Sequence, residues 1–260
     1  MKKITIKEII KKKGTKPICC LTSYTSSVTK IIDKYCDIIL VGDSLGMVLY
    51  GMKTTRDVKL ETMIIHAKAV KSSAKQSLVV VDMPYQTYTN KFKAFKNAKK
   101  IINSTKCDAV KLEGGKKIFN IIKYLTKRKI PVMGHIGFLP QHEKSFTKKG
   151  KNSYQKEKIL KDASSLEEAG VFAIVLECII QDLAKKITKS INVPTIGIGS
   201  SKYCDGQILV IDDIIGMSGF KPRFVKQYSN VKKIIEKSVQ SYIREVKNKK
   251  FPTSNNTYKF

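Results

Sequence analysis

The sequence predicts an α/β fold, a single-domain (β/α)8 barrel of the TIM type. Three observations predict it. Short β-branched apolar runs recur eight times. Longer lysine-rich segments with helical periodicity separate most of them. Polar side chains collect late in the runs. In order, the runs are PICCLTSY (17–24), CDIILVGD (36–43), SLVVVDMP (77–84) and CDAVKLEG (107–114), then IPVMGHIG (130–137), VFAIVLEC (171–178), VPTIGIGS (193–200) and GQILVIDD (206–213). Near-continuous apolar strands suit a parallel sheet covered on both faces. Eight βα units in about 250 residues suit a closed barrel, with a doubly wound open sheet as the alternative.

The intervening segments are read from their periodicity. KFKAFKNAKKIINS places Phe92, Phe95, Ala98 and Ile102 on one helical face. KIFNIIKYLTKRK and EKILKDASSLEEAG follow the same pattern, the latter stopping at Gly170. The connection between runs seven and eight is too short for a helix. IKEIIKKKG and NVKKIIEKSVQSYIREVKNKK predict terminal helices. One domain over 1–260 is expected, without linker, with a polar C-terminal tail. The polar stretch 141–157 is expected to be a mobile loop over one face.

The formal charge of +29 on 260 residues raises a nucleic-acid reading. Only Arg56, Arg128, Arg223 and Arg244 are arginine, and Trp is absent. The lysines are scattered rather than striped with aromatics, as an A- and T-rich genome would leave them. Solvated surface charge is the better account, and no nucleic-acid partner is expected. No apolar run approaches ~20 residues, and no signal peptide is read, so no membrane partner is expected and a cytoplasmic location is. Cys19, Cys20, Cys36, Cys107, Cys178 and Cys204 form no C-x-x-C pair and read as free thiols.

The polar residues share one end of their strands. Run one ends near Ser23 and Tyr24, run two on Asp43 and Ser44, and run three on Asp82. Run four carries Lys111 and Glu113, run five His135, run six Glu177, and run seven leads to Ser200 and Ser201. In a parallel barrel these groups converge on one mouth. Each has a structural alternative. Asp43 could cap a turn, and so could Asp82. Lys111 and Glu113 could pair with each other, and His135 could be a bonded core histidine. Glu177 is hardest to dismiss, because a buried lone carboxylate is costly unless paired or used. Jointly they read as a site.

Asp43, Asp82 and Glu113 on neighbouring strands suggest one hard divalent cation, Mg2+, since no Cys/His cluster supports zinc. Asp43 and Asp82 are the expected direct ligands, with Glu113 acting through water. A cation beside Lys111 suits an anionic 2-oxo acid, whose enolate it would stabilise. Glu177, across the mouth, could remove the proton α to the carbonyl, with His135 as rival base.

At these residues the sequence resembles the ketopantoate hydroxymethyltransferase family. The blocks are VGDSLGMVLYG, VVVDMPY, VKLEGG, PVMGHIGFLPQ, AGVFAIVLEC, VPTIGIGS, CDGQILVIDDIIGM and KPRFVKQY, from about Ile4 to Val246. The resemblance implies transfer of a one-carbon unit from 5,10-methylenetetrahydrofolate to 3-methyl-2-oxobutanoate, through a Mg2+-stabilised enolate. The product, 2-dehydropantoate, serves pantothenate and coenzyme A synthesis. It implies Mg2+ on Asp43, Asp82 and Glu113, and ketoacid on Asp43, Ser44, Asp82 and Lys111. Glu177 becomes the proton acceptor, His135 a lining residue, and the assembly a homodecamer. The chain departs from the family at Thr25, where Asp is usual, at TTRDVK (54–59), in the lysine-rich 141–157 stretch and at Ser200. The competing enzyme reading is a Mg2+-dependent lyase or mutase of the phosphoenolpyruvate mutase and isocitrate lyase type, against which stands the lack of a KKCGH-like motif.

Overall fold

In the computed structural model, which describes residues 3–143 and 145–258, the eight apolar runs become eight strands. They are β1 (Ile18–Thr22), β2 (Ile38–Val41), β3 (Leu78–Asp82), β4 (Ala109–Glu113), β5 (Val132–Gly137), β6 (Ala173–Glu177), β7 (Thr195–Ile198) and β8 (Gly206–Leu209). All pairings are parallel, and β8 returns to β1, closing the barrel. The open-sheet alternative is thereby ruled out.

The helices are α1 (Ile6–Lys11), α2 (Ser26–Ile32), α3 (Leu45–Tyr50), α4 (Leu60–Ser73), α5 (Lys91–Thr105), α6 (Phe119–Thr126), α7 (Ser153–Glu168), α8 (Gln181–Ser190), α9 (Ile211–Ile214) and α10 (Val231–Lys247). Turns alone join β7 to β8, as the short spacing required. Residues 211–213, placed by the sequence in the eighth strand, belong to the helix Ile211–Ile214. Residues up to Val210 pack as one compact unit, and those from Ile211 on as a second, smaller one.

The buried face of α5 is rotated from the predicted one and shares Ala98 with it. The helix buries Ala94, Ala98, Ile101 and Thr105, while Phe92 is exposed. Small residues let its backbone approach the sheet. Phe92 and Phe95 instead meet Tyr124 of α6 edge-on, at 5.6 and 6.0 Å between ring centres. The helix–helix seam, not the core, takes the aromatics.

The barrel interior follows from the two-residue period of a strand. Ile18 and Cys20, Ile38 and Leu40, Leu78 and Val80, Met133, Ala173 and Val175, and Ile196 and Ile208 fill it with apolar side chains. Two residues further along the same faces come Gly42, Asp82, Lys111, His135 and Glu177. The inward layer nearest the C-terminal end is therefore the ionisable one.

Candidate active site

Six ionisable side chains meet at the C-terminal mouth. Asp43, Asp82, Lys111, Glu113, His135 and Glu177 are all buried. Parallel register sets the neighbours: Asp82 lies opposite Lys111, Glu113 opposite His135, and Gly137 opposite Glu177.

The backbone makes room for them. A Cβ built on Gly42 would lie 2.9 Å from Oγ of Ser44 and 3.6 Å from Oδ2 of Asp82. Glycine there lets the end of β2 close on β3, where the Asp43 N–H donates to Oδ2 of Asp82 at 3.1 Å. Gly137 has φ +100, and a Cβ there would lie 2.2 Å from the carbonyl oxygen of Glu177. Only glycine permits that approach of β5 to β6.

The turn readings of the two aspartates do not hold. Ser44, not Asp43, takes the N-cap position of α3, and its side chain makes no capping bond. Ser44 Oγ instead shares a hydrogen bond with the Tyr24 hydroxyl at 2.8 Å. The Asp82 carboxylate faces the Asp43 N–H and Lys111 rather than its own turn. The pairing of Lys111 with Glu113 also gives way. The Lys111 ammonium lies 2.9 Å from Oδ1 of Asp82. Glu113 turns to His135, with Oε1 3.5 Å from Nδ1, and accepts the Gln141 N–H on Oε2 at 3.0 Å. His135 is bracketed by two acids, its Nε2 lying 3.1 Å from Oε2 of Glu177. Its Nδ1 is 3.4 Å from the Lys111 ammonium. Ser23, Ser200 and Ser201 stand apart from this group. Ser23 bonds Thr29, Ser200 donates to the Ile179 carbonyl, and Ser201 accepts from the Tyr203 N–H.

Electrostatics divide the six. Burial raises Asp43 well above the carboxylate range, and the charges of Asp82 and Glu113 add to it. Burial raises Asp82 too, although Lys111 opposes it. Burial pushes Lys111 toward neutrality, but Asp82, Glu113 and Asp43 outweigh it and hold the ammonium above the ordinary lysine value. Burial and Lys111 both pull His135 down, yet contact with Glu113 and Glu177 prevails and raises it to about 9. Burial would raise Glu113, but His135 holds it below its ordinary value. Glu177 is raised by burial, with His135 opposing.

A divalent cation fits part of this set. Among the described residues no three or more His, Cys, Asp or Glu side chains are arranged around one ion. Glu113 is engaged by His135 and Gln141. Asp43 and Asp82 are different. Oδ1 of Asp82 is buried and, though close to Lys111, accepts no aligned hydrogen bond. The raised Asp43 and Asp82 mark an excess of negative charge. Two hard carboxylates suit Mg2+, which retains several waters and leaves positions for a substrate's oxygens.

The sequence reading missed Gln141. It falls in the stretch 141–157, expected to be a mobile loop, yet it is 1 % exposed and bonded to Asp43, Glu113 and Tyr88. The stretch is pinned further along. The Lys149 N–H donates to the Cys178 carbonyl at 2.8 Å, and the Ile180 N–H to the Lys149 carbonyl at 3.0 Å. α7 already begins at Ser153. Gln141 closes the block GFLPQ, four residues past β5. That position was its signal; its lack of charge hid it among ionisable candidates.

Comparison with known proteins decides the family. The model of ketopantoate hydroxymethyltransferase matches residues 3–254. The chain belongs to the ketopantoate hydroxymethyltransferase family. It is 54 % identical over 253 residues to 3-methyl-2-oxobutanoate hydroxymethyltransferase of Pelagibacter ubique, covering 97 % of this chain and 98 % of that one. The enzyme of the same name from Rhizobium etli is 47 % identical over 263 residues, covering 99 % and 96 %. Among solved structures the chain is similar to phosphonopyruvate hydrolase, with TM-score 0.65, 11 % identity and coverage of 100 % and 92 %. It is also similar to phosphoenolpyruvate phosphomutase from Streptomyces platensis subsp. rosaceus, with TM-score 0.62, 10 % identity and coverage of 94 % and 88 %. At that identity the likeness concerns the fold. The lyase and mutase reading gives way to the hydroxymethyltransferase family. Among the described residues no helix is long and apolar enough to cross a membrane.

Proposed function

We propose that this chain transfers a hydroxymethyl group to C3 of 3-methyl-2-oxobutanoate, with 5,10-methylenetetrahydrofolate as donor, giving 2-dehydropantoate. Water supplies the hydroxyl oxygen and tetrahydrofolate leaves. What supports the reading is the coincidence of a family match over 3–254 with a mouth where six ionisable side chains meet.

Lys111, held cationic by Asp82, pairs with the ketoacid carboxylate, and the Ser44 hydroxyl assists. Asp43 and Asp82 would hold Mg2+, with Glu113 reaching it through water. When bound, Mg2+ would polarise the keto group as a Lewis acid. Glu177 takes the proton from C3, leaving that carbon as the nucleophile toward the one-carbon unit. His135 is poorly suited to that step. Raised to about 9, it is already protonated near pH 7. It acts instead through its charge on Glu177, 3.1 Å away, opposing the rise that burial causes there. Burial raises Glu177 and so increases its basicity. By family resemblance the working assembly is a cytoplasmic homodecamer.

The test is exchange of the C3 proton into deuterated water with Mg2+ and without folate. The wild type should exchange, and Glu177→Gln should not. If Glu177→Gln exchanges at the wild-type rate while His135→Gln does not, the base is His135.

A further inference from the structure

Gln141 has no part in the reaction just described, yet both ends of its amide and its backbone N–H are engaged. Nε2 donates to Oδ2 of Asp43 at 2.8 Å and to the Met83 carbonyl at 3.0 Å. Oε1 accepts the Tyr88 hydroxyl at 2.5 Å, and the backbone N–H donates to Oε2 of Glu113 at 3.0 Å. Tyr88 is itself buried.

This arrangement admits one orientation of the amide. The Met83 carbonyl can only accept, so the NH2 end must face it. The same end then faces Asp43. A phenol donating to the opposite end locks the choice. The bond from Gln141 falls on Oδ2 of the Asp43 carboxylate. A lysine in this place would bring a cation to compete with any metal. A glutamate would bring a further negative charge and no donor while ionised. The neutral amide holds Asp43 and the backbone N–H of the same residue holds Glu113, so two mutually repelling carboxylates are fixed without either being neutralised.

We propose that Gln141 is a positioning residue that sets Asp43 for the divalent cation, with Tyr88 fixing the amide. The inference rests on the metal reading above. Partners that orient a ligand change metal affinity about 10–100-fold when removed.

The experiment is Mn2+ binding to the purified full chain, followed by the electron paramagnetic resonance of free Mn2+. It uses the wild type, Gln141→Met, Tyr88→Phe and Asp82→Asn, with melting curves to confirm folding. Gln141→Met keeps side-chain length and the backbone N–H to Glu113. It should weaken Mn2+ about 10–100-fold, with kcat recovering at saturating metal. Tyr88→Phe should weaken Mn2+ less, in the same direction. Folded Gln141→Met with wild-type Mn2+ affinity would overturn the proposal. Should Gln141→Met not fold, unchanged affinity in Tyr88→Phe would overturn it and weakened affinity would support it. If the wild type binds no Mn2+, or Asp82→Asn binds as the wild type does, the metal reading fails and this inference fails with it. That outcome differs from one in which Asp82→Asn alone loses the ion.

Discussion

The two ends of the barrel both carry aspartates at strand termini, but their partners differ. At the N-terminal end Asp37, Asp108 and Asp205 stand just before β2, β4 and β8. Each accepts a backbone N–H from the neighbouring strand of its pair: Cys19 at 2.9 Å, Val79 at 2.9 Å and Thr195 at 2.8 Å. Each also meets a lysine: Lys12 on Asp37, Lys71 on Asp108 at 2.6 Å and Lys13 on Asp205 at 2.9 Å. The pair β5–β6 has the core residue Phe172 in that place. Nearby, Asp33 accepts the N–H groups of Lys75, Gln76 and Ser77, which hold it below its ordinary value against the effect of burial. At the C-terminal end Asp43, Asp82 and Glu177 have few backbone donors and are raised. One end uses carboxylates to fasten strands. The other buries them with few donors, a cost to the fold that the proposed metal would offset. This matches the general division of such barrels into a stabilising and a reactive face.

The largest expected effect is at the mouth. Glu177→Gln should lower kcat by roughly 10²–10⁴, the range for a lost general base, with the melting temperature retained. A matching fall in melting temperature would instead make Glu177 a fastening residue like those below. At the other end, Asp205→Ala removes the partner of Lys13, Gly14 N–H and Thr195 N–H. Breaking this half-buried network should cost about 1–3 kcal/mol in denaturant unfolding, with kcat close to wild type. A loss of activity without loss of stability would erase the distinction between the ends. A smaller effect concerns pH. Glu177 must be ionised to act, so kcat/KM should fall as pH drops through its raised pKa. His135 opposes that rise. His135→Gln should therefore move the acid limb to higher pH, measured on the purified variant. An unmoved limb would mean that His135 does not tune Glu177.

The mouth was legible in the sequence because two simple rules locate it. Parallel strands point their ends one way, and a two-residue period puts Lys111 and Glu113 on one face. Asp82, His135 and Glu177 follow by the same reasoning, while Asp43, one residue past the inward Gly42, follows from the strand-end rule alone. What was not legible depended on contacts between distant segments. The partner of Lys111 is Asp82 rather than Glu113, which only the register of β3 on β4 decides. Gln141 reaches Asp43 across 98 positions of chain. The seam between α5 and α6 takes Phe92 and Phe95, which periodicity alone placed on one face with the buried Ala98. The fastening end did leave a trace: Cys-Asp precedes β2, β4 and β8, at 36–37, 107–108 and 204–205. Its meaning needs the neighbouring strand's N–H to be seen.

If the mouth carboxylates disfavour the ligand-free fold, Asp43→Asn relieves part of that cost. Asparagine mimics the neutral acid and keeps an oxygen for Gln141. A carboxyl raised in the fold lowers stability as pH climbs from the unfolded value of about 3.9 through the folded one. The measurement is the melting temperature of wild type and Asp43→Asn in chelator, from pH 4 to pH 7. Near-equal values are expected at pH 4, and at pH 7 a variant that melts ~2–5 °C above wild type, with activity lost. A variant melting below wild type at pH 7 would contradict that expectation.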